Sequence, residues 1–167
     1  QIAEAGLALD GNGHILAFRT SVAVDVGAYL SKSASVPPRN AGISYPGTYH
    51  VPLIHAEVRA TFTNTVQLGP YRGSGKPEAS FVLDRLMEKA AGEMGIDRIE
   101  LRRRNLIGPS DMPYQTPGGY VYDSGEFERV LDAAVTLADW HGFETRRAKC
   151  ERRGLRRGIG LAMHCQR

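Results

Sequence analysis

The chain predicts an α+β fold, with helices packed on a mixed or antiparallel sheet. Strand-like patterns crowd into the first 64 residues, and helical patterns dominate from about residue 77. The order is strands, then helices, then one more strand-like run, not the regular alternation of a doubly wound sheet. Composition agrees with a soluble folded domain: 42% of residues are hydrophobic and 23% charged.

Ile2 to Leu9 and His14 to Tyr29 read as two strands joined at Asp10-Gly11-Asn12-Gly13, a strong turn signal, so the chain opens on a β-hairpin. Val22, Val24 and Val26 alternate with Ala23 and Asp25, which puts one face inward. Ser31 to Tyr49 is a Pro- and Gly-containing connection, long enough to hold short helical turns. Tyr49 to Asn64 returns to strand character. Pro77 suits the first turn of a helix, and Phe81, Leu83, Leu86, Met87, Ala90 and Ala91 supply its apolar stripe. Gly92 to Gly95 weakens or ends it. Asp97-Arg98-Ile99-Glu100 predicts a capping box for a short helix to about Asn105. Ser124 is the expected cap of a further helix with Phe127, Val130, Leu131, Ala134, Leu137 and Ala138 inward. A charged helical segment from Phe143 to Arg153 follows, Gly154 breaks it, and a final strand is expected from about residue 156.

Several functions are excluded by composition and spacing. A net charge of +3 is too weak to mark a nucleic-acid protein without a concentrated basic face. The pairs and triplets Arg102-Arg103-Arg104, Arg146-Arg147, Arg152-Arg153 and Arg156-Arg157 are interspersed with acids and read as a solvated helix face or a contact with an acidic partner. No apolar run approaches the ~20 residues of a membrane helix. Two cysteines without a CxxC disfavour a zinc site or a cysteine-held iron–sulfur cluster built from this chain alone. Five scattered histidines show no metal-ligand spacing.

The most informative stretch is Gly69-Pro70-Tyr71-Arg72-Gly73-Ser74-Gly75-Lys76. Its glycines allow positive φ and close backbone approach to a ligand, and it feeds a helix start, where amides favour an anion. It is not a phosphate-binding P-loop: five residues separate Gly69 from Gly75-Lys76, and Pro77 replaces the Ser or Thr that meets Mg²⁺. It is not a nucleophile elbow either, because the glycines flank Ser74 at the wrong offsets.

The run from Pro70 to Ala79, followed by Glu88, Ala91, Gly95-Ile96-Asp97 and Leu101-Arg102-Arg103-Arg104-Asn105-Leu106, resembles the molybdenum hydroxylase family. That family comprises xanthine dehydrogenases, aldehyde oxidases and carbon monoxide dehydrogenase-like enzymes, and the match is to their large subunit. Val58-Arg59-Ala60 and Phe62-Thr63-Asn64-Thr65 upstream fit the same pattern, as do Pro113-Tyr114, Thr116-Pro117, Tyr122-Asp123-Ser124-Gly125 and Gly158-Ile159-Gly160 downstream.

The resemblance implies that residues 1–167 are a partial molybdopterin-binding domain. Strands would span about 2–64, an active-site loop 69–76, and a helical region about 77–153, within a larger domain. It implies a molybdenum–molybdopterin cofactor, the cytosine dinucleotide form being one candidate, approached by Tyr71, Arg72, Gly73 and Gly75. Ser74 would face the substrate pocket. No protein side chain would ligate the metal, which is held through the pterin. The implied reaction is hydroxylation of aldehydes or N-heterocycles with water as oxygen donor. Electrons would pass to an iron–sulfur subunit and an FAD subunit in a cytoplasmic complex.

The base glutamate would lie downstream of Arg167 and a Gly-Gly-Phe-type loop upstream of Gln1. The ends read as cut, and the fragment is expected to be inactive alone. Copper-containing members have cysteine where this chain has Gly73, which disfavours carbon monoxide oxidation because no thiolate holds Cu(I). Xanthine dehydrogenases place phenylalanine at Ser74, so a purine-stacking pocket is not expected. The alternative reading is a non-catalytic anion- or protein-binding module that retains the fold.

Overall fold

The computed structural model describes residues 1–165. Its first sheet is mixed, with strand order β1-β2-β3: β1 (Ile2–Leu9) runs antiparallel to β2 (Ile15–Gly27), and β2 runs parallel to β3 (Leu53–Phe62). The opening hairpin and the mixed sheet are therefore as the sequence pattern predicts. Asp10 sets the hairpin turn, accepting the Asn12 and His14 amides at 2.9 and 2.8 Å. The parallel step from β2 to β3 needs a crossover, and α1 (Val36–Ile43) lies within it. Phe18, Thr20, Val22, Val24 and Val26 alternate inward along β2, while Arg19, Ser21, Ala23 and Asp25 face out.

One long helix and one short one pack into the core with β2. α2 (Lys76–Met94) begins with Pro77 in its first turn and ends on Gly95, whose φ of 65° forms a left-handed cap. Its buried stripe is Ala79, Leu83, Met87, Ala90 and Ala91, with Asp84 among them. Phe81 departs from expectation and is exposed. At about 100° per residue it lies roughly 200° around the helix from Leu83, on the opposite face.

α3 (Arg98–Asn105) is capped by Asp97, which accepts the amides of Ile99 and Glu100 at 2.9 and 3.0 Å. Only that half of the expected box forms, because Glu100 turns to Arg104 at 2.9 Å. Buried Asn105 ties α3 back to the hairpin: it accepts the Ile15 amide and donates to the Gly13 carbonyl, both at 2.8 Å.

The chain continues through a small hairpin of β4 (Tyr114–Gln115) and β5 (Val121–Tyr122), then α4 (Phe127–Leu137) and α5 (Phe143–Glu151). Ser124 is not the cap of α4; Glu126 occupies that position, and the Ser124 hydroxyl bonds Asp123. The inward face of α4 is narrower than predicted. Leu131 is buried and Phe127 packs against the core, but Val130 and Leu137 are exposed.

Two further expectations are corrected. First, the arginine triplet is not a solvated face. Arg102 is fully buried, Arg103 pairs with Glu128 and Asp132 on α4 at 2.7 Å each, and Arg104 pairs with Glu100. Second, the run from about residue 156 is no strand among the described residues. Side chains hold it in place of a neighbouring strand. Arg98 donates to the Ile159 carbonyl at 3.5 Å, Arg102 to the Leu161 carbonyl at 3.3 Å, and Asp84 accepts the Met163 amide at 3.0 Å. Backbone groups that approach a core need partners, and here arginines and a carboxylate supply them.

Candidate functional site

The loop is delivered by the end of the sheet. Asp25, at the outer end of β2, accepts the hydroxyls of Thr63 and Thr65 at 2.6 and 3.0 Å and the Gly27 amide at 2.8 Å. Hydrogen bonds from Thr63, chiefly, and from Gly27 and Thr65 hold the Asp25 carboxyl below its usual value. The next residues keep pairing with the strand end, with Leu68 N–H on the Val26 carbonyl at 3.0 Å.

From there the backbone makes two overlapping turns. Ser74 N–H donates to the Tyr71 carbonyl at 2.8 Å and Lys76 N–H to the Gly73 carbonyl at 3.1 Å. Gly73, Ser74 and Gly75 all have positive φ, 87°, 44° and 89°. For a serine that conformation costs roughly 1–2 kcal/mol, so its surroundings must impose it. A Cβ on Gly75 would collide with the Pro37 carbonyl oxygen, so only glycine fits beneath α1.

Five expected site residues are thus brought into one turn. Tyr71 is exposed, and so is Arg72, whose guanidinium has no partner among the described residues. The amides of Arg72, Gly73 and Gly75 likewise have no acceptor among the described residues. The Ser74 hydroxyl is shielded from solvent and also unpartnered. Unpaired amides in such a turn can receive an anion, and here those of Arg72, Gly73 and the buried Gly75 are unpaired among the described residues. Glu78 already occupies the first turn of α2, so the loop amides, rather than the helix end, are the open donors. Free amides and an orphaned buried hydroxyl suit a group that presents oxygen and sulfur acceptors.

An apolar hollow lies elsewhere. It is about 410 Å³, runs across the three strands beside Leu7, Phe18, Leu53 and Ile54, and shares no residue with the loop. Binding sites combine apolar walls with convergent polar groups, and this trough offers only Arg19 and His55. The loop is therefore the stronger candidate.

Along α2, the helix that the loop feeds, sits a buried polar cluster that residue spacing does not reveal. The Asp84 carboxylate accepts the Tyr49 hydroxyl at 2.8 Å, the Arg102 Nε at 3.3 Å and the Met163 amide. Arg102 also reaches Glu88 at 3.1 Å, and Glu88 takes a second arginine, Arg98, which stacks 4.4 Å over Trp140. Burial raises Asp84 above the ordinary carboxylate range, opposed by the bonds from Tyr49, Met163 and Arg102. All three donors, the Arg102 guanidinium, the Tyr49 hydroxyl and the Met163 amide, favour the ionised form. Burial, then the Asp84 charge, raises the Tyr49 hydroxyl well above its usual value, so Tyr49 stays protonated and donates. The one signal in the sequence is the position of Asp84 inside an otherwise apolar helical stripe.

Residues 1–106, from β1 through α3, match the molybdopterin cofactor-binding domain family, and the chain belongs to that family. It is 35% identical over 166 residues to the 6-hydroxypseudooxynicotine dehydrogenase complex subunit gamma of Paenarthrobacter nicotinovorans, covering 94% of this chain and 21% of that protein. It is 33% identical over 165 residues to the carbon monoxide dehydrogenase large chain of Afipia carboxidovorans, covering 93% of this chain and 20% of that protein. Its fold superposes on quinoline 2-oxidoreductase from Pseudomonas putida 86 with a TM-score of 0.82 at 31% identity, covering 91% of this chain and 20% of that one. The chain therefore spans about a fifth of the length of these relatives. The resemblance read from the loop and the Leu-Arg-Arg-Arg-Asn run is borne out, as is the α+β class. No helix of the described residues is long and apolar enough to cross a membrane.

Proposed function

We propose that this chain is part of the large, molybdopterin-binding subunit of a molybdenum-dependent oxidoreductase that hydroxylates N-heterocycles or aldehydes with water as the oxygen donor. The observation that carries it is the turn at Gly73-Ser74-Gly75, where the Gly73 and Gly75 amides and the buried Ser74 hydroxyl lack protein partners among the described residues. Tyr71, Arg72, Gly73 and Gly75 hold the oxygen and sulfur periphery of the cofactor through backbone donors, and Ser74 faces the substrate. When bound, the cofactor supplies the two-electron oxidation that no side chain here performs. Iron–sulfur and FAD subunits complete the electron path, and the base is a glutamate outside residues 1–167.

Substrate shape is set in part at position 74. Ser74 leaves space without offering a stacking face, and Gly73 offers no thiolate for copper. Relatives named for quinoline and for nicotine 6-hydroxylation favour an N-heterocycle over a simple aldehyde. The alternative, a module that binds an anionic partner through its arginine pairs, loses Arg102, Arg103 and Arg104, which are engaged within the chain, and would rest on the exposed Arg152, Arg153, Arg156 and Arg157.

Elemental and pterin analysis of the full-length subunit, expressed with its partners, tests the proposal. Stoichiometric molybdenum and product oxygen derived from labelled water are expected. A metal-free protein that folds normally would sink the reading. Within that protein, Ser74→Phe is expected to shift preference toward flat aromatic substrates. The 167-residue chain alone is expected to hold little molybdenum.

A further inference from the structure

We infer that Asn40, on α1, is a positioning residue that sets the direction of the Ser74–Gly75 peptide and so turns the amide of the buried Gly75 away from α1, as a donor to an oxygen-bearing anionic ligand. The inference deepens the function proposed above and rests on it for the identity of that ligand.

Asn40 Nδ2 donates to the Ser74 carbonyl at 2.8 Å in a partly buried bond. In a trans peptide the carbonyl and the following N–H point in opposite directions. Pinning the Ser74 carbonyl against α1 therefore turns the Gly75 N–H away from α1. That amide has no acceptor among the described residues. The same helix fixes the turn by contact, since the Pro37 carbonyl and the Ala41 amide crowd the place where a Gly75 Cβ would stand.

Without the Asn40 bond, the local hydrogen bonds are Ser74 N–H to Tyr71 and Lys76 N–H to Gly73. Neither involves the 74–75 peptide. A flip of that peptide would bring its N–H toward α1 and its carbonyl toward the ligand, replacing a donor with a repelling acceptor. Such flips are natural where glycine follows, because Gly75 tolerates both signs of φ. Asn40 lies 34 residues upstream of Ser74, and nothing in its neighbourhood marks it as functional.

The test uses Asn40→Leu, which keeps size and removes the donor, and Asn40→Asp, which sets an acceptor against the Ser74 carbonyl. Both are made in the full-length subunit assembled with its partners. Amide exchange in the peptide covering residues 71–79 is expected to rise by about fivefold or more, with protection elsewhere and the melting temperature unchanged. Molybdenum content is expected to fall several-fold, with an altered electron paramagnetic resonance line shape in what remains. Unchanged loop exchange in Asn40→Leu overturns the inference whether or not metal is present. Loss of protection throughout the fold, with a lowered melting temperature, also overturns it, because the role is then structural. Wild-type protein devoid of molybdenum overturns the functional reading separately, and loop exchange still decides the role of Asn40.

Discussion

The Met163 backbone amide donates to the buried carboxylate of Asp84 at 3.0 Å, across a separation of 79 residues. This bond fastens the last described segment to the middle of α2. Asp84 thereby joins four parts of the chain: Tyr49 before β3, its own helix, Arg102 on α3, and the terminal run. Ile159, Leu161 and Met163 pack on the main core beside this cluster.

Removing the cation from this cluster should be costly. Arg102→Met strands Asp84 and Glu88 without their shared guanidinium, and breaking a buried pair from one side costs roughly 3–5 kcal/mol. The melting temperature should fall by on the order of 10 °C for a domain of this size. The double variant Asp84→Leu/Arg102→Met should recover part of that loss, because apolar replacements of similar volume no longer bury a lone charge. Thermal unfolding followed by circular dichroism measures both. A single-variant loss under about 1 kcal/mol, as for a surface pair, would show that the cluster is not part of the core.

Glu88 should make the fold acid-sensitive. Burial alone raises its pKa, but the Arg98 bond and the Arg102 charge outweigh burial, and the net shift is below its ordinary 4.5. A carboxyl with a lowered folded value contributes stability above its unfolded value and loses it as pH falls through the folded value. Asp84 acts with the opposite sign. Its folded value is raised above 3.8, so its contribution is largest at low pH and declines as pH rises through that window. Glu88→Gln is therefore expected to lower the melting temperature near neutrality and to converge on wild type well below pH 4.5. Parallel curves at every pH would remove Glu88 from the linkage.

Two glycine-to-alanine changes should have opposite signs. Gly75→Ala forces a Cβ into the Pro37 carbonyl at a positive φ, and a strained left-handed residue costs roughly 1–3 kcal/mol. Gly92 sits on the exposed side of α2, where an added methyl group would meet nothing within 4 Å. Gly92→Ala should stabilise by about 0.5–1 kcal/mol through helix propensity. Denaturant titration resolves the two. Equal effects would mean that the Pro37 contact does not constrain the loop.

Local patterns make much of this protein legible. The hairpin follows from a turn signal between alternating runs, α2 from a 3.6-residue period behind Pro77, and the site loop from three glycines at Gly69, Gly73 and Gly75. These properties act within a few residues, so a linear reading captures them. The pattern misleads where a choice depends on space. Phe81 is apolar and so predicts an inward position, yet helix geometry turns it to solvent. Ser124 has the residue type of a cap, yet α4 starts three residues later. The terminal run has the pattern of a strand, yet its partners are arginine side chains rather than a neighbouring strand.

From residue order alone come the α+β class, the family likeness, and the glycine-rich turn proposed as the ligand-facing loop. Folding in three dimensions decides which polar groups share the interior and which helix supports that turn. Asn40 meets Ser74, and Asp84 meets Arg102 and Met163, only because α1, α2 and α3 pack together. A buried carboxylate or an unpaired carbonyl is neutralised by whatever donor the packing brings within about 3 Å, and no local pattern states which donor that is.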